Sequence, residues 1–276
     1  MAANTLTGKV AVVTGATGVL CSSMVEALLR AGAKVALFNR RAEAGQELVA
    51  RLAAAGLDQT LVVTGDVLDR ASLVAAREAI IARWGQLDIL VNGAGGNHPT
   101  GTIPAEQAQP DTPRESTFFG LDLDGFDRVL RLNLHGTLLP TQVFAEAMGA
   151  GASVVNISSM AATQPMTKVL GYAVGKAGVE NLNRFLAVHF APLGIRVNAI
   201  APGFFLTEQN RFLLLEKDGT TPTARGAKVM AKTPMRRYGK AEELGGALVF
   251  LCSDAASFVT GASIPVDGGF LAYSGV

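Results

Sequence analysis

Seven short runs of apolar residues set the frame of this chain. They are Val10–Val13, Lys34–Phe38, Leu61–Val63, Ile89–Val91, Val154–Ile157, Val197–Ile200 and Ile264–Val266. None alternates polar with apolar residues, so each reads as a strand covered on both faces rather than half-exposed. Helical patterns separate several of them: one running to Leu29, then Ala42–Ala54, Arg70–Trp84 and Tyr172–Leu193. Strands alternating with helices imply an α/β fold with a doubly wound parallel sheet and right-handed crossovers.

The 276 residues contain no linker, repeat or low-complexity tract, so a single domain over 1–276 is expected. Hydrophobic residues make up 49% and charged residues 17%, which excludes a disordered chain. Lys and Arg number 24 against 23 Asp and Glu, a net charge of +1, so no nucleic-acid footprint is present. No apolar run approaches the ~18 residues of a membrane span. The opening MAANTLTGKV lacks the features of a secretory signal, and Cys21 and Cys252 suggest no disulfide framework. A soluble cytoplasmic protein is expected. His98, His135 and His189 have no ligand spacing, so no metal is expected. Two stretches break the strand–helix rhythm, at about 95–121 and 204–237, and loops of that length in a compact domain are usually functional. Within the second, EQNRFLLLEK has helical spacing.

In open α/β sheets, ligands bind beyond the carboxyl ends of the strands, which selects the residues that matter. After the first run comes Thr14-Gly15-Ala16-Thr17-Gly18-Val19-Leu20, a glycine turn opening a helix. Such a turn suits a pyrophosphate, since backbone and helix N-terminus both approach it; it is equally a plain turn. Asp66, after the third run, could accept from an adenine amino group or cap the next helix, with Val67 beside it. Asn92-Gly93-Ala94 follow the fourth run and Ser158-Ser159 the fifth. Tyr172 and Lys176 stand one helical turn apart on one face. Pro202 and Gly203 follow the sixth run, with Thr207 just beyond.

These motifs, in order, resemble the short-chain dehydrogenase/reductase family over essentially the whole chain. The resemblance rests on TGATGVL, NGAG, Asn133 in LNLHG, Ser159, Tyr172-x-x-x-Lys176 and PGFFLT. It implies a Rossmann-type sheet and an NAD(P)-dependent oxidoreductase interconverting a ketone and a secondary alcohol. Tyr172 would be the acid or base, with its pKa, ordinarily about 10, lowered by Lys176 one turn away. Ser159 would polarise the carbonyl. By resemblance, Lys176 would also hold the nicotinamide ribose and Asn133 would position a proton-relaying water. The cofactor set is then Gly15, Thr17, Gly18, Val19, Leu20, Asn39, Arg40, Asp66, Val67, Asn92, Gly93, Ala94, Tyr172, Lys176, Pro202, Gly203 and Thr207.

Two positions depart from the family pattern. Cys21 stands where a glycine usually packs the first helix onto its strand, which bears on cofactor affinity. Gly93 stands where a second Asn is common. Asn39 occupies the place of the Asp that reads an NAD ribose, with Arg40 next to it. A guanidinium there would pair with a 2′-phosphate, favouring NADP. The other reading leaves Arg40 and Arg41 as solvated charges and Asn39 on the NAD ribose hydroxyl.

The two long loops carry the substrate information. His98, Lys168 and Arg211 are candidates for a substrate carboxylate, although His98 also reads as a capping side chain. NGAGGNHP, LHGTLLPTQVF and PGFFLTEQNR resemble family members of the D-mannonate oxidoreductase (fructuronate reductase) type, which implies a sugar-acid substrate such as D-fructuronate. A gluconate-type polyol dehydrogenase and a 3-oxoacyl reductase are the alternatives among enzymes. A non-catalytic NAD(P)-binding sensor is the alternative outside them. By resemblance, the helix over Tyr172–Leu193 and the tail Phe258–Val276 would form contacts in a homotetramer.

Overall fold

The computed structural model describes residues 5–207 and 210–275. Glu208 and Gln209, which open the EQNR segment, lie outside the described residues, as do Met1–Asn4 and Val276. Seven parallel strands form one sheet in the order β3-β2-β1-β4-β5-β6-β7. They are β1 Val10–Thr14, β2 Lys34–Asn39, β3 Thr60–Thr64, β4 Ile89–Asn92, β5 Ser153–Ile157, β6 Arg196–Pro202 and β7 Ser263–Val266. Each expected run is therefore a strand, lengthened by one to three residues where pairing continues past the apolar stretch. The strand order reverses between β1 and β4, the crevice where such sheets bind ligands.

Helices cover both faces. α1 (Val19–Arg30) and α9 (Leu244–Cys252) pack on one side, and Met24, Leu28, Leu248 and Leu251 meet Val13, Leu37 and Val91 there. α3 (Arg70–Trp84), α5 (Gly136–Ala145) and α6 (Leu170–Phe190) pack on the other, where Leu73, Ile80 and Phe144 meet Val12, Phe38 and Leu90. Two-sided burial holds for the central strands and fails at the edges. β3 and β7 are mostly only partly buried, because an outer strand has a neighbour on one side alone.

α2 (Ala42–Ala54) and α3 fall on the residues expected from periodicity. Asp69 caps α3 by accepting from the Ala71 and Ser72 amides, and Gly85 ends it at φ 78°. The sequence patterns marked no helix or strand between residues 122 and 150. There α4 (Leu123–Leu130) runs through one π-turn, Arg131–His135, into α5. Part of EQNRFLLLEK forms a short helix as its spacing implied, the single turn α7 (Arg211–Leu214). Beyond it the Asp218 carboxylate accepts from the Thr220 and Thr221 amides, and Gly219 takes φ 73°, so turn chemistry overrides helical spacing. α8 (Ala224–Lys232) completes that loop, and the 95–121 loop is built from three short 3₁₀ turns. Among the described residues, no helix is long and apolar enough to cross a membrane, and no three His, Cys, Asp or Glu side chains cluster as metal ligands.

Candidate active site

At the switch point the β1–α1 turn and the segment after β4 are stitched together. Thr14 Oγ1 accepts from the Gly93 and Ala94 amides at 3.1 and 3.2 Å. Gly15 sits at φ 66°, and a β-carbon on it would lie 2.9 Å from Ala94 Cα. Only glycine fits there. Gly18 begins α1 in an extended conformation with no side-chain cap, and the first turn holds no acidic residue. Val19 is exposed, with Thr17 and Leu20 half-buried around it. An uncapped helix N-terminus behind a glycine turn fits a pyrophosphate.

The end of β2 offers a second fit. Asn39 is buried; its Nδ2 donates to the Arg41 carbonyl at 2.6 Å and its Oδ1 is buried without a partner. Such an orphan acceptor calls for a donor, and a ribose hydroxyl supplies one. Arg40 and Arg41 are exposed. At the end of β3, Asp66 accepts from the Leu68 amide at 2.9 Å, and Asp69 rather than Asp66 caps α3. The Val67 side chain is buried against Gly136, leaving its backbone to face the crevice region.

The Asn92 side chain turns into the core below the strand end, its Oδ1 without a partner. Its Nδ2 donates to Thr141 Oγ1 at 2.8 Å and to Asn156 Oδ1 at 2.9 Å. Asn156 donates on to Asn183, and Asn183 to the Ala262 carbonyl. The side chain thus belongs to a buried amide chain beneath the site, because a fully buried amide needs partners wherever packing places them. Gly93 and Ala94 carry the backbone past the crevice.

Ser159, Tyr172 and Lys176 come together at the end of β5. Ser159 is buried and its Oγ accepts from the Ala161 amide at 3.1 Å. The Tyr172 hydroxyl lies near enough to Ser159 for that side chain to favour its ionised form. Lys176 Nζ donates to the Ile157 carbonyl at 2.7 Å and lies 5.7 Å from the centre of the Tyr172 ring. Burial pushes Lys176 down to about 8. Burial also raises Tyr172, and Ser159 draws it partly back. Burial is the larger of the two effects on Tyr172.

Asn133 lies on the π-turn, fully buried. Its Oδ1 accepts from the Gly96 amide at 3.1 Å, and its Nδ2 donates to the Gly96 and Val129 carbonyls at 2.7 and 2.8 Å. Both donors are engaged, so the amide braces the 95–96 backbone instead of reaching toward Lys176. A β-carbon at Gly95 would lie 2.8 Å from Asn133 Oδ1 and 3.2 Å from Lys176 Nζ, which makes Gly95 the contact between the two. Gly95 closes the NGAG motif and Thr14 opens the glycine turn, so both motifs marked in the sequence meet here.

At the end of β6, Gly203 packs against Asp267, where a β-carbon would lie 2.6 Å from Asp267 Cα. Pro202 is buried, and the Thr207 amide donates to Asn210 Oδ1 at 2.8 Å. Of the three substrate candidates, Lys168 lies within electrostatic reach of Glu106. The His98 Nδ1 accepts from the Thr100 amide, so its side chain caps a turn. Lys168 takes φ 75° with its carbonyl accepting from Ile103. Arg211 is exposed at the start of α7 and reaches toward Gly219.

Comparison with known proteins places the chain among oxidoreductases. A family model described as Enoyl-(Acyl carrier protein) reductase matches residues 15–271. An uncharacterized oxidoreductase of Bacillus subtilis, UxuB, is 49% identical over 274 residues, covering 98% of each chain. A solved structure provisionally named D-mannonate oxidoreductase, from Haemophilus influenza with NAD bound, has a TM-score of 0.92 at 44% identity and 98% coverage of each chain. A gluconate 5-dehydrogenase of Burkholderia cenocepacia, in complex with NADP and tartrate, has a TM-score of 0.82 at 30% identity and 97% coverage of each chain.

Proposed function

The chain belongs to the short-chain dehydrogenase/reductase family of NAD(P)-dependent oxidoreductases acting on CH–OH groups, and on that premise we propose that it reduces the keto group of a sugar acid of the D-fructuronate type, or oxidises the matching alcohol. The observation that carries the chemistry is the convergence of Ser159, Tyr172 and buried Lys176, which is held on the Ile157 carbonyl 5.7 Å from the Tyr172 ring centre. The bound nicotinamide supplies or takes up the hydride. Tyr172, raised by burial, holds its proton near neutrality and can give it to the developing alkoxide. Ser159 donates to the same oxygen and stabilises its charge. Lys176 holds the ribose and moves a proton between its amine and the Tyr172 side of the site, and Asn133 positions that site through the Gly95–Gly96 backbone.

The cofactor contacts are assigned to Gly15, Thr17, Gly18, Val19, Leu20 and Asn39, to Asp66 and the Val67 backbone, and to Gly93, Ala94, Tyr172, Lys176, Pro202, Gly203 and Thr207. With no carboxylate at position 39 to repel a 2′-phosphate and Arg40 exposed beside it, NADP is preferred. Asn39 Oδ1 meets a 2′-hydroxyl as well, so NAD is also used. The similarity to proteins named for D-mannonate and gluconate supports an acidic sugar as substrate. The gluconate-type reading, favoured by the second of these, differs only in the sugar acid. Exposed Phe185 and Val188 on α6 support a homotetramer, and the cytoplasm is the proposed compartment.

The deciding experiment follows NAD(P)H oxidation with D-fructuronate, a 5-ketogluconate, neutral ketoses and a 3-oxoacyl thioester. The expected result is the highest kcat/KM with one of the two sugar acids. A better rate on the thioester, or none on any ketone, rejects the proposal.

A further inference from the structure

Beyond the carboxyl ends of β5 and β6, a cleft of about 260 Å³ lies between the 164–167 turn, α8 and Phe270. Its charge is lopsided. Arg225, Lys228 and Lys232 line it against one carboxylate, Glu106. The carboxylate comes from the first long loop and the cations from α8 in the second. Lys228 Nζ donates to Glu106 Oε2 at 2.9 Å, and Arg225 Nη1 stands 3.7 Å from Oε1. Lys232 lies 4.9 Å over the Phe270 ring instead. The opposite wall holds Gln164, whose Oε1 is buried with no partner, and Thr167, whose Oγ1 is 3.4 Å from Arg225 Nη1. The cleft therefore presents a carboxylate position filled by the protein's own Glu106, an excess of positive charge, and a buried acceptor lacking a donor.

We propose that this cleft receives the carboxylate of the sugar-acid substrate, which exchanges with Glu106 on Arg225 and Lys228, while Gln164 accepts from a neighbouring substrate hydroxyl. The assignment rests on the sugar-acid reading given above. Exchange of one carboxylate for another keeps the charge-assisted hydrogen bond of Lys228 in place, with the Arg225 guanidinium paired beside it. The remaining positive charge draws an anion into the cleft. A neutral polyol gains nothing from either cation, and an acyl chain would leave them desolvated and unpaired, so the same residues discriminate against both. Glu106 also ties the first loop to α8, so arrival of the substrate carboxylate releases one loop from the other. Neither Arg225 nor Lys228 was visible as a substrate residue in the sequence, where His98, Lys168 and Arg211 stood out.

The test uses the full chain with NADPH, and compares D-fructuronate with D-fructose, its neutral counterpart. Arg225→Ala and Lys228→Ala should each raise KM for the acid by about tenfold or more, the loss of one hydrogen bond to a charged group. They should leave D-fructose rates and NADPH binding unchanged, and NADPH binding also reports that each variant is folded. Glu106→Gln, which removes the competing carboxylate, should lower KM for the acid. Turnover of the acid with KM unmoved in both alanine variants overturns this inference and leaves the sugar-acid reading standing. A wild-type protein that reduces D-fructose or an acyl thioester but no sugar acid overturns both.

Discussion

The sulfur of Cys21 occupies the space that a β-carbon at position 93 would need, with Sγ directed at the Gly93 carbonyl 3.6 Å away. The two departures from the family pattern are therefore one arrangement. A side chain on the helix replaces a side chain on the neighbouring strand end. Burial raises the Cys21 thiol to about 11, so it remains neutral packing material. Gly93→Asn should be strongly destabilising on its own, because the new atoms meet the sulfur and the Thr14 carbonyl. Cys21→Gly should cost about 1 kcal/mol, change NADPH affinity little, and relieve the Gly93→Asn defect. Urea unfolding of the two single variants and the double variant measures the coupling; additive effects would show that the positions are independent.

Lys176 titrates at about 8 in the folded chain against an ordinary 10.5. Between those values the unfolded chain binds the additional proton, so this amine makes stability rise with pH through that window. Below pH 8 its buried charge costs the fold in full, on the order of 3 kcal/mol. Lys176→Met should therefore show its most favourable unfolding free energy, relative to wild type, near pH 7. That advantage should shrink toward pH 10. A difference that does not change with pH argues against the depressed amine. The same variant should lose turnover.

Tyr172→Phe removes the proton donor and nothing else of comparable size. Its kcat should fall by at least about a hundredfold, the scale of general acid catalysis, while NADPH fluorescence titration shows binding retained. Near wild-type turnover rejects the role of Tyr172.

Arg40→Ala should weaken NADPH more than NADH by about tenfold, the value of one charge-assisted hydrogen bond. Steady-state KM values for the two cofactors measure it. Equal effects on both would return Arg40 to the solvated surface.

On α6, Phe185 and Val188 are 61% and 78% exposed. Large apolar groups so placed mark a contact surface. Val188→Glu should convert a tetramer to smaller species in light scattering at micromolar concentration, with the secondary structure unchanged. A monomeric wild type removes the proposed assembly.

Much of the architecture was legible because it is local. β1 is apolar from Val10 to Val13, α3 carries its own cap and stop, and Tyr172 and Lys176 are held together by one turn of helix. The π-turn was not legible: no element was read over 131–135, and the partner of Asn133 on that turn, Gly96, lies 37 residues away. Asn92 reads as a ligand residue at a strand end, yet its partner Asn156 is 64 residues away. Nothing near Asn92 in the chain signals that partner.

The sequence by itself determined the seven parallel strands, the helices that follow the first three of them, and the residue types at the strand ends, because periodicity and turn chemistry act over a few residues. Only the tertiary structure decided which of those polar groups face the crevice. It turned Asn92 into the core, set Cys21 against Gly93, and drew Glu106 across the cleft to Lys228, 122 residues away. Each depends on atoms brought close by folding, and their burial and pairing set what each group can do.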